Sequence, residues 1–154
     1  MDSYREQIRK IMISVNIIEG IYAFAAKKIG IKENTLVLLY ALDDEKYHSQ
    51  IEISRDWLIP KTTLNTIIKE CVENGYILLT SQKGVKEKCI RLTPKGKKYA
   101  DSILNLIYDL ETKAYLKTLD DYTCEFSNAM LLFANNLNDE TKKHFKGKDT
   151  YGTQ

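Results

Sequence analysis

Hydrophobic residues recur with a helical period at the beginning of the chain. Between residues 4 and 29 they follow one another every three or four positions, which predicts one apolar stripe along a long helix. The stripe consists of Ile8, Ile11, Val15, Ile18, Tyr22, Ala25 and Ile29. Gly30 is expected to end the helix, because glycine readily adopts the left-handed conformation found at helix C-termini. A short leucine-rich run, Thr35 to Leu42, predicts a second helix.

Two short helices joined by a tight turn are predicted in the middle of the chain. Ser49 can cap the first by accepting a backbone N–H bond, and Glu52 completes a capping box. Pro60 cannot continue that helix, since it lacks an N–H, but it suits the start of a second helix that runs to about Asn74 and stops at Gly75. Residues expected to face inward are Ile53, Trp57, Leu64, Ile67, Ile68, Cys71 and Val72. This arrangement is a helix-turn-helix.

The period then changes to that of strands. Tyr76 to Thr80 and Glu87 to Leu92 are rich in aromatic and branched residues and predict a two-stranded hairpin with a basic tip. Thr93 and Pro94 provide a cap and a first helical residue for a long helix, which Asp120 and Asp121 interrupt before a last helix. The two apolar stripes are Tyr99, Ile103, Leu106, Ile107, Leu110 and Ala114, and then Tyr122, Phe126, Ala129, Met130, Phe133 and Leu137.

Charge is unevenly distributed along the 154 residues. The net charge is only +2, but the segment from Pro60 to Lys98 contains nine basic and three acidic residues, a net +6, which leaves −4 for the remainder. A basic centre between acidic arms indicates a middle segment that faces a polyanion. The alternative is an ordinary solvated face.

Several classes of protein are excluded by composition and motifs. Hydrophobic residues make up 44% of the chain and charged residues 29%, as in ordinary globular domains. No apolar run is long enough to cross a bilayer and residues 1–10 lack a secretory signal, so we expect a cytoplasmic location and no membrane contact. Phosphate-loop, zinc-helix and nucleophile-elbow motifs are missing, and we therefore expect no catalytic residue, no metal site and no cofactor.

The three cysteines, Cys71, Cys89 and Cys124, show none of the paired spacing of zinc or redox sites. They are interpreted as reduced packing residues, with an oxidant-sensing thiol as the alternative. The acidic cluster at residues 43–45 is interpreted as a solvated turn, with a cation site as the alternative.

The helix-turn-helix and hairpin together resemble the MarR family of bacterial transcription regulators. Four pieces occur in the family's order: Gln50-Ile51-Glu52-Ile53, Pro60-Lys61-Thr62-Thr63-Leu64, Asn74-Gly75-Tyr76-Ile77 and Ile90-Arg91-Leu92-Thr93-Pro94-Lys95-Gly96. The resemblance covers about residues 35–119. The chain departs from it in the wing, where many members have an Asp-x-Arg pair whose arginine enters the minor groove and this chain has Gly84-Val85-Lys86.

The resemblance implies a mainly α fold with a small β-hairpin wing, namely a winged helix-turn-helix with long terminal dimerisation helices. It places an N-terminal dimerisation helix at residues 1–31, the DNA-binding domain at 32–98, C-terminal dimerisation helices at 99–141 and a loose tail at 142–154. The terminal helices would form a homodimer that binds a pseudo-palindromic operator in double-stranded DNA, as a repressor. A small aromatic effector would release the DNA, but no residue is assigned to its site.

By the same resemblance, the second motif helix enters the major groove, while the first motif helix and the wing contact phosphate. The DNA-binding residues it implies are Ser49, Gln50, Lys61, Thr62, Thr63, Asn65, Thr66, Lys69, Lys83, Lys86 and Lys88. The alternative function is a winged-helix protein-interaction module without specific DNA binding.

Overall fold

Six helices and three short strands form the part of the chain that the computed structural model describes, residues 3–81 and 88–145. The elements are α1 (Ser3–Ile29), α2 (Glu33–Leu42), β1 (His48–Ser49), α3 (Gln50–Asp56), α4 (Lys61–Glu73), β2 (Ile77–Ser81), β3 (Lys88–Leu92), α5 (Pro94–Leu119) and α6 (Glu125–His144). The mainly helical winged architecture expected from the sequence is confirmed.

Helix ends lie where local chemistry placed them. Gly30 and Gly75 follow α1 and α4 with φ angles of 86° and 72°, the left-handed region that glycine tolerates. The Thr93 hydroxyl accepts the Gly96 N–H at the start of α5. These ends could be predicted because each depends on residues within one helical turn.

The sheet contains one strand more than the predicted hairpin. β3 lies in the centre of an antiparallel sheet of order β1-β3-β2, and the two residues of β1 pair His48 with Ile90 and Ser49 with Cys89. The predicted hairpin is confirmed as β2 and β3, whereas β1 was not predicted, because a two-residue strand has no periodicity of its own. The hairpin tip, residues 82–87, lies outside the described residues.

Two apolar clusters share helix α2. One lies between α2, α3, α4 and the sheet: Leu38, Ala41, Leu42, Ile53, Ile59, Leu64, Ile67, Ile68, Cys71, Ile77 and Ile90. The other joins α2 to α1 and α5: Ala26, Leu36, Leu39, Ala100, Ile103, Leu104 and Ile107. Because α2 is buried on both sides, it joins the winged part of the molecule, which comprises α3, α4 and the three strands, to the long helices α1 and α5.

Two residues expected to be buried are exposed. Val72 is 38% exposed, since it lies at the edge of the α4 stripe beside the buried Cys71. Trp57 is 41% exposed: it follows the last turn of α3, and its ring packs against Tyr40 with centroids 5.6 Å apart.

Much of the apolar surface of the long helices is uncovered. We call three segments the arms: residues 3–24 of α1, residues 106–119 of α5 and the whole of α6. No residue of α6 is buried. Their exposed apolar residues include Ile8, Met12, Ile13, Ile17, Ile18, Ile21, Phe24, Leu106, Leu110, Leu116, Met130, Leu131, Leu132 and Leu137. The predicted stripes are covered unevenly. Five residues of the α1 stripe are half-buried and two of the α5 stripe are buried, namely Ile11, Val15, Tyr22, Ala25 and Ile29, and Ile103 and Ile107. Leu106, Leu110, Met130 and Leu137 of the predicted stripes are exposed.

The last helix is shifted relative to its prediction. It begins at Glu125, which leaves Tyr122 before it, and it includes residues 142–144, which were expected to belong to the tail. Residues 146–154 lie outside the described part. Within residues 3–81 and 88–145, no helix combines the length and apolar character needed to span a membrane.

Candidate nucleic-acid interface

Helix α4 presents a polar face to the outside. Its inner residues, Leu64, Ile67, Ile68 and Cys71, are buried in the cluster beneath it. The outer residues Lys61, Thr62, Asn65, Thr66 and Lys69 are exposed, and Thr63 is half-buried. All six are residues that the sequence assigned to DNA. The structure thus places them along one end and one side of a single helix, which is firmly anchored on its other side.

The N-terminus of α4 is open to an anion. Pro60 precedes the helix without a side-chain cap, and the first turn has no acidic residue. The first N–H groups of a helix have no partner within it, so they carry a partial positive charge. Lys61 adds a full charge at the same end. This combination attracts phosphate, as helix N-termini commonly do.

A short turn sets the angle between α3 and α4. The Ser54 hydroxyl donates to the Ile59 carbonyl at 2.8 Å, and the Ile59 side chain is buried in the core. Leu58, which lies between the helices, has a φ of 51°, a conformation unusual for a residue with a side chain. The turn is therefore held by a hydrogen bond and by burial against its local conformational preference.

The outer residues of α4 are engaged only weakly. The Thr66 hydroxyl donates to the Thr62 carbonyl at 3.0 Å, and Lys69 faces Glu73 at 3.9 Å in an exposed pair. Exposed pairs of this kind contribute little to stability, so Lys69 can exchange its partner for a phosphate at low cost.

Ser49 has a structural role in addition to the one expected. Its hydroxyl accepts the Glu52 N–H at 3.1 Å, and its own N–H donates to the Glu52 carboxylate at 2.9 Å, which completes the capping box. The Ser49 hydroxyl can still donate its own hydrogen to a phosphate, although the Glu52 carboxylate beside it disfavours an anion. Gln50, the first residue of α3, is half-buried.

Three basic residues of the middle segment have partners within the chain. Lys97 contacts Asp43 at 2.8 Å and Asp101 at 2.7 Å. The ammonium of Lys95 donates to the Asn74 carbonyl at 2.8 Å, and Arg91 lies over the ring of Tyr47. Only the pairing of Lys97 with Asp43 and Asp101, which lie outside the segment, offsets part of its net +6, because Lys95 and Arg91 stay exposed and keep their charges. In the wing, Lys88 is exposed at the start of β3, while Lys83 and Lys86 lie outside the described residues.

The arrangement of helices and sheet matches solved structures. No family model and no curated protein matches the chain. A MarR family regulator from Neisseria meningitidis superposes with a TM-score of 0.75 at 19% identity, over 90% of this chain and 98% of that one. The chain has the MarR fold.

Two further structures with the MarR fold are similar over almost their whole lengths. A MarR family regulator from Listeria monocytogenes, complexed with 26mer DNA, superposes with a TM-score of 0.68 at 19% identity. The superposition covers 94% of this chain and 97% of that one. MarR from Staphylococcus aureus, in complex with salicylate and kanamycin, has a TM-score of 0.58 at 20% identity and covers 94% of each chain.

In this MarR fold, polar side chains join the winged part to the long helices. The hydroxyls of Tyr22 and Tyr40 both donate to the Glu111 carboxylate, and the Tyr108 hydroxyl donates to Asp43 at 2.8 Å. Burial, together with the bond to Glu111, raises the pKa of Tyr22 above its usual range. The sequence did not indicate Asp43 or Glu111 as partners of these tyrosines, because the partners are distant along the chain.

The cysteines divide into two kinds. Cys71 and Cys89 are buried, as expected of packing residues, whereas Cys124 is exposed, which contradicts that expectation. Burial raises the pKa of the Cys71 thiol to about 11, so it stays protonated near neutral pH. Within the described ranges, no group of three or more His, Cys, Asp or Glu side chains is placed to hold a metal ion.

Proposed function

We propose that the chain is a MarR family transcriptional regulator that binds DNA sequence-specifically by inserting α4 into the major groove. The observation that carries the proposal is the exposed polar face of α4, with its uncapped N-terminus, on a helix whose other side is buried. A major groove about 12 Å wide admits one helix, and the first residues of that helix reach the base edges. The Listeria neighbour with its DNA supports the same use of the fold.

Each outer residue of α4 has a role that fits its chemistry. Asn65 can bond adenine through two groups, and Thr62 offers a hydroxyl and a methyl group to the base edges. Lys61 and Lys69 neutralise flanking phosphates without reading sequence. Thr66 is a weaker candidate for base contact, because its hydroxyl already donates to the Thr62 carbonyl.

The first motif helix and the wing complete the proposed interface. Ser49 and Gln50 would contact phosphate from the start of α3. Lys88 would act from β3, together with Lys83 and Lys86 at the tip. A lysine in place of the wing arginine supplies charge to the minor groove but not the flat guanidinium.

We propose further that the arms pair two copies of the chain as a homodimer. Large apolar side chains are exposed along α1, α5 and α6, and α6 buries no residue against its own chain. Contiguous apolar surface of this extent marks an interaction site. A two-fold dimer would present two α4 helices about 34 Å apart, which suits a pseudo-palindrome with half-sites one helical turn apart.

We propose that the dimer acts as a repressor and that a small-molecule effector releases it from DNA. A dimer bound across a promoter would exclude the polymerase, and a small aromatic molecule that prefers another spacing of the α4 helices would release it. The Staphylococcus neighbour, with salicylate and kanamycin bound, supports small-molecule control. In this chain an apolar groove of about 370 Å³ lies between α1 and α5.

The alternative function is a protein-interaction module that keeps the fold but not the DNA contact. The pairing of Lys97 with Asp43 and Asp101 favours it, because these carboxylates offset part of the basic charge of the middle segment.

Salt dependence separates the two functions. We measure binding to random duplex DNA by anisotropy between about 50 and 200 mM salt, and DNA binding predicts a log–log slope of about −0.9 for each phosphate contacted. An interaction module would bind weakly at every salt concentration, and that result would refute the proposed function.

A further inference from the structure

A single carboxylate, that of Asp43, holds two side chains of α5. One oxygen accepts from the Lys97 ammonium at 2.8 Å and the other accepts from the Tyr108 hydroxyl at 2.8 Å. Asp43 itself lies at the C-terminal end of α2, and its side chain is only 13% exposed. The contact therefore joins two elements within a largely covered site.

The positions of the two donors allow this contact to restrict the direction of α5. Lys97 and Tyr108 are eleven residues apart, about three turns of helix, so they lie on the same face of α5. Two hydrogen bonds that reach one carboxylate from residues three turns apart restrict both the position of α5 and the direction of its axis. A single contact would restrict only its position.

A second junction extends the connection to α1. Glu111, one turn beyond Tyr108, accepts hydroxyl bonds from Tyr22 of α1 and Tyr40 of α2. The rings of Tyr40 and Tyr108 meet edge to face with centroids 5.4 Å apart, so the two junctions are in contact. Helices α1, α2 and α5 are thereby linked by polar contacts as well as by the apolar cluster they share.

These junctions lie where the two halves of the molecule meet. Helix α2 contributes Leu38 and Leu42 to the cluster below α4 and Leu36 and Leu39 to the cluster with α1 and α5. Apolar packing resists separation but is less directional than hydrogen bonds to a charged carboxylate. The angle between the winged part and the arms therefore depends on directional contacts at this junction.

We propose that Asp43 is a positioning residue that sets the orientation of the winged part relative to the arms, and hence the spacing between the two α4 helices in the dimer. This inference rests on the proposed function, since spacing has meaning only for a dimer that reads two half-sites. Asp43 is not among the residues assigned to DNA, and it acts through Lys97 and Tyr108.

The test compares two variants that remove the same charge. Asp43→Asn keeps the shape of the side chain but weakens both bonds that cross from α2 to α5. Asp101→Asn removes the other carboxylate bound to Lys97, at 2.7 Å, but that carboxylate belongs to α5 itself and joins no second element. Tyr108→Phe removes only one of the two hydrogen bonds to Asp43 and preserves the aromatic ring.

The measurement uses the dimer and a duplex selected by the wild-type protein from a random library. Affinities are compared for that duplex, for versions with one base pair inserted or deleted between the half-sites, and for random DNA. For Asp43→Asn we expect the preference for the original spacing to fall at least about fivefold, the low end of coupling between separate sites, with little change on random DNA. Tyr108→Phe should give a smaller change in the same direction, and Asp101→Asn should keep the preference.

A merely structural role would give a different pattern. Partial unfolding would lower binding to all duplexes together and would leave the spacing preference unchanged, which would overturn the inference. An equal loss of preference in Asp101→Asn would also overturn it, because the cross-element bond would then not be the cause. If the wild-type protein selects no two-part site, the proposed function fails and this inference fails with it.

Discussion

At Gly96 the backbone of α5 touches Tyr76, the residue between α4 and β2. A Cβ atom at this position would lie 1.8 Å from the Tyr76 carbonyl oxygen, far inside any permitted contact. The neighbouring Thr93 hydroxyl accepts the Gly96 N–H and donates to the Gly75 carbonyl at 2.7 Å. The first turn of α5 is thus held against the main chain of Gly75 and Tyr76, the residues that follow α4.

We expect Gly96→Ala to destabilise the protein by about 3 kcal/mol, since backbone on both sides of the contact must move. The control is Gly20→Ala, because a Cβ on Gly20 meets nothing within 4 Å and alanine favours a helix interior by about 0.5–1 kcal/mol. Urea unfolding at one protein concentration measures both. Equal stability of the two variants would show that the close approach of α5 does not exist.

At this scale, local chemistry was predictable and distant contacts were not. The roles of Ser49, Glu52 and Thr93 as caps involve neighbours within three residues, and the sequence indicated all of them. Asp43 and Gly96 owe their roles to residues on other elements. The sequence showed Asp43 only as part of an acidic turn.

Helix α4 is the element on which the function depends. Its period of apolar residues fixes which side is buried, and its N-terminus receives no side-chain cap from Pro60. The residues nearest that end, Lys61 and Thr62, are both exposed.

We expect the double variant Lys61→Ala, Thr62→Ala to weaken binding to the selected site by about 1–3 kcal/mol, and binding to random DNA by less, because a base contact is lost along with a charge. Lys27→Ala, which removes the same charge from the last turn of α1, serves as the control. Gel-shift titrations on both duplexes measure the effect. Equal losses on the two duplexes would remove base reading from this end of α4.

Most elements could be predicted because each helix contains its own pattern and its own ends. The strand β1 could not, because it exists only through pairing with β3, which lies far along the chain. The burial of Trp57 was also mispredicted, since the helix ends at Asp56 and the ring turns toward Tyr40 instead.

At the scale of the whole molecule, the arms leave large apolar side chains exposed. The winged part buries its own core, whereas α6 exposes Met130, Leu131, Leu132 and Leu137. The sequence predicted Met130 and Leu137 as part of the α6 stripe but not Leu131 or Leu132, and an apolar pattern alone does not show which surface covers it. In the structure, α6 buries no residue against its own chain.

We expect Leu131→Glu combined with Leu132→Glu to convert the proposed dimer to monomers at micromolar concentration, because charges buried at an interface without partners are costly. Sedimentation velocity measures the mass. Lys46→Glu makes the same change in net charge at an exposed position outside the arms and should leave the dimer intact.

The opposite pattern would contradict the pairing of the arms. If the leucine variant sediments as the wild-type protein does, or if the wild-type protein is itself a monomer, then α6 does not lie in a dimer interface.

Selection of bound duplexes from a random library tests the central claim most directly, since the claim is that two copies of α4 read DNA at a fixed separation. The account predicts an enriched inverted repeat whose half-sites have their centres about 10 base pairs apart. Enrichment of no motif, or of a single unrepeated one, would contradict it.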